Sequence, residues 1–335
     1  VRDRYGRAPQ WILLGSIVGV NILTLAADLH AGGAALGLLF HRDSSWFLLL
    51  FGATTLAMVL WGTYDEVERV LKYMLLILLG YPISAVLAHP DWGQVLRDSF
   101  IPHLSRNSEY ITGAVAILGT AITGYVYVWQ SVQVAEEQHS EEPPKVRKVD
   151  AAISTFFTVA IFWFILIATG ATLGVAHRPV NTAEEAAQAL APVAGPYASY
   201  LFGVGLLGSA LIAVPVLMAT TGYAVCAQFD VRRGLSEPVR DAPTFYGVIT
   251  TSTLAAIVIS AIGVPPIRLL FLASIVAGVA TPIGLSAMML VTSDPRLMGA
   301  RTVRGPLLVA GWAVTTTVTI LSVFYLIQQI TGGGS

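Results

Sequence analysis

Residues 111–137, ITGAVAILGTAITGYVYVWQSVQVAEE, decide how the rest of the chain is interpreted. The stretch is long enough to cross a bilayer, yet its centre carries Thr120, Thr123 and Gly124. Glycine is a poor helix former, and a threonine hydroxyl can satisfy backbone groups where the hydrogen-bond ladder opens. The pattern predicts a membrane helix broken near Thr120–Tyr125, with carbonyls and hydroxyls facing a cavity of the kind that holds ions. An unbroken span with a glycine packing notch is the alternative interpretation.

The composition indicates an all-α membrane protein. Hydrophobic residues make up 55% of the chain and charged residues 12%, whereas a soluble protein carries roughly twice that charge. The net charge of -1 gives no reason to expect nucleic acid as a partner. The single cysteine, Cys226, excludes an intramolecular disulfide. The lipid bilayer is therefore the first partner that the sequence predicts.

Apolar stretches near the ~20 residues that a bilayer requires predict nine transmembrane helices. Their expected bounds are Trp11–Phe40, Trp46–Tyr64, Val67–Ala88, Ile111–Val132, Ala151–Ala176, Tyr197–Ala227, Phe245–Gly263, Leu269–Val291 and Pro306–Ile330. Between the fifth and sixth spans, residues 182–185 (TAEE) form a capping-box pattern that predicts a short surface helix. Pro215 and Pro282 lie inside spans and are expected to kink them.

Lysine and arginine residues predict the orientation, because they concentrate in cytoplasmic segments. With the N-terminus inside, 14 of the 19 lie in inner segments and 5 in outer ones. The outer ones are Arg42, Arg97, Arg106, Arg178 and Arg268. We therefore expect a cytoplasmic N-terminus and an external C-terminus, in the inner (plasma) membrane of a cell.

Asp28 is the most informative polar residue within a span. A carboxylate near the middle of the first span indicates function, because burying its charge is costly unless it is paired or protonated; a protonated structural Asp28 is the alternative. Asn21 shares roughly the same helix face, and His30 lies on another. The chain contains no nucleophile elbow, zinc-binding or phosphate-binding motif, so the sequence predicts no enzyme and no cofactor.

Four stretches together resemble the natural resistance-associated macrophage protein (Nramp) family, in particular a divergent bacterial branch of divalent-metal transporters. They are residues 26–29 (AADL), 116–130 (AILGTAITGYVYVWQ), 195–216 (GPYASYLFG through AVPV) and 292–299 (TSDPRLMG). They match the family's third, sixth and eighth helices and the loop after its tenth. The resemblance extends over nearly the whole chain in matching order.

The resemblance implies a LeuT-like fold of two inverted five-helix repeats followed by an eleventh helix. In that register the nine spans are the third to the eleventh, so the first two helices are expected to be missing, through a truncated reading frame or a true deletion. Residues 1–88 would then be the remnant of the first repeat, 109–291 the second repeat and 305–330 the extra helix.

The resemblance also implies the metal site, at Thr120, Thr123 and Tyr125 on the broken helix, Ser274 on the eighth span and Asp28 on the first. Thr123 stands where the main family has a methionine, and Ser274 where it has a glutamine. Exchanging a thioether for a hydroxyl favours hard ions such as Mg²⁺ over Mn²⁺ and Fe²⁺. Ala31 replaces an acidic residue of the family's proton pathway, and the seventh span has no arginine, so weak or no proton coupling is expected.

The predicted function is transport of divalent cations by alternating access, with Mg²⁺ favoured and the ion as substrate rather than cofactor. Two alternatives stay open. One is a truncated or degenerate membrane protein that transports nothing, and the other is a carrier of a small organic solute on the same fold. The sequence does not define an oligomeric state. If two helices are missing, Thr120, Thr123 and residues near Asp28 are expected to line an open groove.

Overall fold

The computed structural model describes residues 6–42, 44–61, 80–101, 105, 107–136, 144–171, 180, 182–188 and 195–331. Within these residues every regular element is helical. The first six α-helices are α1 (Arg7–Phe40), α2 (Ser44–Trp61), α3 (Gly80–Leu87), α4 (Trp92–Phe100), α5 (Ser108–Ala121) and α6 (Gly124–Glu136). The remaining ones are α7 (Pro144–Thr169), α8 (Ala183–Gln188), α9 (Ala198–Phe229), α10 (Pro243–Ser260), α11 (Pro266–Ser293), α12 (Pro295–Met298) and α13 (Pro306–Ile330).

Seven spans in the described part of the chain are long and apolar enough to cross a membrane, counting α5 and α6 as one, and α2 is a shorter apolar helix. These eight correspond to eight of the nine predicted spans. The third predicted span, Val67–Ala88, lies largely outside the described residues, and only α3 and Ala88 of it are described. The capping box is confirmed, because Glu185 N–H donates to Thr182 Oγ1 and Thr182 N–H donates to Glu185 Oε2.

Helix α1 is the centre of the fold and packs against α2, α9, α10 and α11. Its buried side chains join those of α9 and α10 in the main core, which includes Leu25, Leu29, Leu217, Phe245 and Ile249. Small residues let α2 approach closely, since a Cβ on Gly33 would lie 2.8 Å from the Leu48 backbone. Ser260 Oγ of α10 also donates to the Ala26 carbonyl at 2.7 Å. Asp28 is thus placed on the most heavily packed helix.

The fourth span is broken as predicted. Helix α5 ends at Ala121, α6 begins at Gly124, and Ile122 has φ −126° and ψ 48°, outside the helical region. The α5 half packs against α11 and α13, whereas the α6 half packs mainly against α9. Tyr125 and Trp129 attach α6 to the main core. Apart from α11, which touches both halves, the two halves of the span therefore pack against different neighbours.

Helices α5 and α11 cross with their backbones in contact just before the break. A Cβ added to Gly119 would overlap the Ser274 carbonyl, and one added to Gly278 would overlap the Val115 carbonyl. Only glycine allows so close an approach at both positions. The crossing fixes the end of α5, and hence the position of Thr120, relative to Ser274.

Candidate metal centre

Thr120 and Ser274, two of the five predicted site residues, are in direct contact. Thr120 Oγ1 donates to Ser274 Oγ at 2.8 Å, and Ser274 Oγ in turn donates to the Leu270 carbonyl at 2.8 Å. The Thr120 side chain is exposed. The one proton of the Thr120 hydroxyl is shared between Ser274 Oγ and the Ala116 carbonyl of its own helix, which lies 3.0 Å away, and the hydroxyl oxygen keeps lone pairs that a cation could use.

Asp28, Thr123 and Tyr125 form the second group. The Tyr125 phenol lies close enough to the Asp28 carboxylate and the Thr123 side chain to interact electrostatically with both. Asp28 is partly exposed, whereas only 4% of Thr123 is exposed. The Thr123 hydroxyl is buried without a well-formed hydrogen bond to the described residues. Of the residues expected to line an open groove beside the fourth span, Thr120 is exposed, whereas Thr123 is buried and does not line such a surface.

The break leaves backbone carbonyls open, because the last four carbonyls of a helix have no partner within it. The Leu118 carbonyl accepts from Ile122 N–H, and the Thr123 carbonyl accepts from Val126 N–H at 3.2 Å. Among the described residues no backbone N–H outside the helix ladders donates to the carbonyls of Gly119, Thr120 or Ala121. Thr120 thus offers a carbonyl as well as a hydroxyl, and both are oxygen donors.

Thr281 is the contact at the break that sequence reasoning missed. Its hydroxyl, on α11, donates to the Ile122 carbonyl at 3.2 Å and to the Ala277 carbonyl of its own helix at 2.7 Å. The neighbouring Pro282 marked this part of the span as irregular, but the sequence contains no sign that Thr281 reaches residue 122. The Ile122 carbonyl is therefore occupied, unlike those of Thr120 and Ala121.

Further polar side chains lie on α1 before Asp28 in the sequence, at Asn21 and Thr24. Asn21 is fully buried, and its Nδ2 donates to Thr220 Oγ1 and Thr221 Oγ1 of α9, each at 3.2 Å. Asn21 Oδ1 and Thr24 Oγ1 are buried without partners among the described residues. Since residues 21, 24 and 28 share one helix face, the polar surface runs along α1 to Asp28.

The donors in these two groups and at the end of α5 are hydroxyl, phenol, carboxylate and carbonyl oxygens. In the described part of the chain no three His, Cys, Asp or Glu side chains come together as a metal cluster. His30 Nδ1 is buried without a partner there, and its side chain is not part of either group. An oxygen-only donor set suits hard divalent cations better than soft ones.

A membrane helix broken at its centre, with oxygen donors at the break, is typical of ion transporters. A family model described as natural resistance-associated macrophage protein-like (Nramp) matches residues 1–328, and the chain belongs to this family. The family consists of metal transporters, in which the metal is a substrate and not a cofactor.

Curated relatives support the assignment at low identity. The chain is 27% identical over 305 residues to the divalent metal cation transporter MntH of Caldanaerobacter subterraneus subsp. tengcongensis, covering 88% of this chain and 69% of that protein. Identity to the MntH of Deinococcus radiodurans is 26% over 348 residues, covering 99% and 76%. Against the MntH of Clostridium acetobutylicum it is 27% over 265 residues, and the match covers 76% of this chain and 58% of that protein.

A solved structure shows the same fold. A mutant of the Eremococcus coleocola manganese transporter superposes with a TM-score of 0.65 and 18% identity, covering 99% of this chain and 74% of that one. The fold expected from the sequence, a LeuT-like membrane protein, is confirmed by this match.

Proposed function

We propose that this protein carries divalent cations across the plasma membrane by alternating access, with a preference for Mg²⁺ and with little or no proton coupling. The proposed site consists of Thr120, Thr123, Tyr125, Ser274 and Asp28. The observation that carries the proposal is the broken span, where the Thr120–Ser274 hydroxyl pair lies beside the end of α5, whose last carbonyls include those of Thr120 and Ala121. Relatives named as divalent metal cation transporters support the reaction class.

The preference for Mg²⁺ rests on the donor chemistry. Mg²⁺ takes oxygen ligands and gives up water reluctantly, so it is bound well by short hydroxyl side chains that leave room for a partly hydrated ion. Thr120, Thr123 and Ser274 are such side chains, and no sulfur atom belongs to the proposed set. Asp28 would supply the negative charge that balances the cation.

The proposal of weak proton coupling rests on the composition of α10, which packs against α1, the helix that carries Asp28. A proton relay requires a continuous chain of titratable groups. Helix α10 packs against α1, and its sequence, PTFYGVITTSTLAAIVIS, contains no acidic, basic or histidine residue. A hydrogen bond links α10 to α1 instead, and in it the Ser260 hydroxyl donates to the Ala26 carbonyl.

The test is uptake by the natural protein reconstituted in liposomes, with Mg²⁺ and Mn²⁺ compared and a pH dye enclosed. We expect Mg²⁺ uptake without acidification of the lumen. Thr123→Met introduces a thioether, and it should shift selectivity toward Mn²⁺ by roughly tenfold, equivalent to about 1.4 kcal/mol of relative affinity. Thr112→Met, near the start of α5, is the matched control and should leave the ratio unchanged.

Three results contradict parts of the proposal separately. Preference for Mn²⁺ in the unaltered protein defeats the assignment of Mg²⁺, and acidification of the lumen defeats weak coupling. An unchanged ratio in Thr123→Met removes Thr123 from the site. Failure to take up any divalent cation favours the alternative of a membrane protein that does not transport.

A further inference from the structure

Thr281 makes the side-chain hydrogen bond from α11 to the break in the fourth span. The side chain is 2% exposed, and its hydroxyl lies 3.2 Å from the Ile122 carbonyl and 2.7 Å from the Ala277 carbonyl. A hydroxyl has one proton, so the two carbonyls share it or receive it in turn. Ile122 is the first residue after α5, which places this contact between α5 and α6.

The part of α11 that carries Thr281 is anchored from its other side. Pro282 has no N–H, so the Gly278 carbonyl four residues earlier loses its donor within the helix. Ser322 Oγ of α13 reaches that carbonyl at 3.0 Å and shares its one proton with the Val318 carbonyl of its own helix at 2.9 Å. Gly278 also touches the Val115 backbone of α5. Thr281 therefore extends toward the break from a segment that both neighbouring helices hold in place.

Tyr127 adds a second attachment beyond the break. A Cβ added to Gly284 would overlap the Tyr127 hydroxyl, so the phenol of α6 occupies the space that this glycine leaves on α11. Gly119, Thr281 and Gly284 follow one another along α5 and α11 as the chain passes from before the break to after it. The register of both half-helices is thus set against α11.

We propose that Thr281 is a positioning residue for the ion site, which rests on the function proposed above. By donating to the Ile122 carbonyl, Thr281 withdraws this oxygen from the ion and holds the break in the register that leaves the Thr120 and Ala121 carbonyls open. When the break rearranges, the Thr281 hydroxyl keeps its hydrogen bond to the Ala277 carbonyl at 2.7 Å, so the contact with Ile122 opens without leaving a buried donor unpaired.

The decisive variant is Thr281→Val, which keeps the shape of the side chain and removes the hydroxyl. In liposomes containing this variant, KM for Mg²⁺ and Mn²⁺ should be roughly fivefold higher than in liposomes containing the unaltered protein, the factor expected for one ordinary hydrogen bond. The maximal uptake rate should change less, because the variant still binds through the same ligands. Thr281→Ser restores the hydroxyl and should restore KM.

The matched control is Thr315→Val. Thr315 is also buried, at 3% exposed, and its hydroxyl donates within its own helix to the Gly311 carbonyl at 2.8 Å. The Thr315→Val variant should lose about as much thermal stability as Thr281→Val does, and its KM should be unchanged. Amide hydrogen exchange over residues 118–126, measured without any metal, should rise in Thr281→Val and not in Thr315→Val.

Unchanged KM and exchange in Thr281→Val, with normal uptake by the unaltered protein, overturn the positioning role alone. A rise in KM that Thr281→Ser does not reverse, or that Thr315→Val reproduces, also overturns it, because the effect is then a general loss of packing. Absence of uptake by the unaltered protein overturns the proposed function and this inference with it.

Discussion

Asn21 presents a buried amide oxygen that receives no hydrogen bond from the described residues. Its partners, Thr220 and Thr221, keep acceptors of their own in α9, the Val216 carbonyl at 2.8 Å and the Leu217 carbonyl at 2.7 Å. Replacing Asn21 by an apolar side chain of similar size removes two hydrogen bonds and one unpaired oxygen and leaves both threonine hydroxyls donating within α9, so its net cost should be small, whereas burying a carboxylate is costly.

We therefore expect Asn21→Leu to change the free energy of unfolding by less than about 1 kcal/mol. Asn21→Asp should lower it by more than about 2 kcal/mol. Thermal unfolding in detergent, followed by intrinsic fluorescence, measures both. An equally large loss in the two variants contradicts this, and means that stability depends on the hydrogen bonds from Asn21 to Thr220 and Thr221.

For single residues, the sequence indicates which polar side chains are functional candidates better than it indicates which side chains are in contact. Asp28 and the hydroxyls of Thr120 and Thr123 stand out because polar groups at membrane depth are costly and therefore informative. Ser274 is indicated only by the resemblance to a known family. The pairing of Thr120 with Ser274 follows from the resemblance to a known family. The contact of Thr281 with Ile122 joins residues 159 positions apart, and it depends on the exact register of two helices, which hydropathy does not encode.

Two glycines of α5, Gly119 and Gly113, allow the effect of helix packing on stability to be measured apart from that of helix propensity. Gly119 lies against the α11 backbone, whereas a Cβ on Gly113 would meet nothing within 4 Å. Gly119→Ala forces the helices apart and should cost about 1–3 kcal/mol. Gly113→Ala should instead stabilise α5 by up to about 1 kcal/mol, the difference in helix propensity. Melting temperatures in detergent measure both, and a similar shift for the two variants contradicts the close crossing.

Pro282 and Ser322 should be coupled through the Gly278 carbonyl. Ser322→Ala removes the only side-chain donor that this carbonyl has among the described residues, which should cost about 1 kcal/mol or more. In a Pro282→Ala background residue 282 supplies an N–H to the same carbonyl, so the cost of Ser322→Ala should be smaller. A double-mutant cycle measures this coupling, and additive losses contradict it.

The sequence predicts helices well where hydropathy is sustained, and it predicts their ends less well. The break falls between Ala121 and Gly124, inside the predicted stretch, because glycine and threonine weaken the ladder there. Helix α10 begins at Pro243 and α11 at Pro266, before the apolar stretches that predict them. Proline is favoured in the first turn of a helix, so these helices start at the proline and not at the edge of the apolar core.

Across the whole molecule the large apolar side chains lie both in the core and on the outside. Phe156 and Phe157 of α7 and Leu307 and Val309 of α13 are 60–69% exposed. Exposure on this scale suits side chains that face lipid, because hydrocarbon solvates them and water does not. Some polar side chains are buried together with the apolar core, including Asn21 and Thr123.

The division into a first-repeat remnant (1–88), a second repeat (109–291) and an extra helix (305–330) stays a proposal.

The orientation of the molecule is a prediction from its basic residues, and two exposed sites test it. Gln94 lies on α4 in a predicted outer segment, and Ser236 lies in the predicted inner segment between α9 and α10. The native Cys226 is fully buried and should not react. Gln94→Cys should therefore react with a membrane-impermeant maleimide in intact cells, and Ser236→Cys should react only after permeabilisation. The reverse pattern means that the basic segments lie outside, and the cytoplasmic N-terminus inferred from the 14 inner and 5 outer basic residues is then wrong.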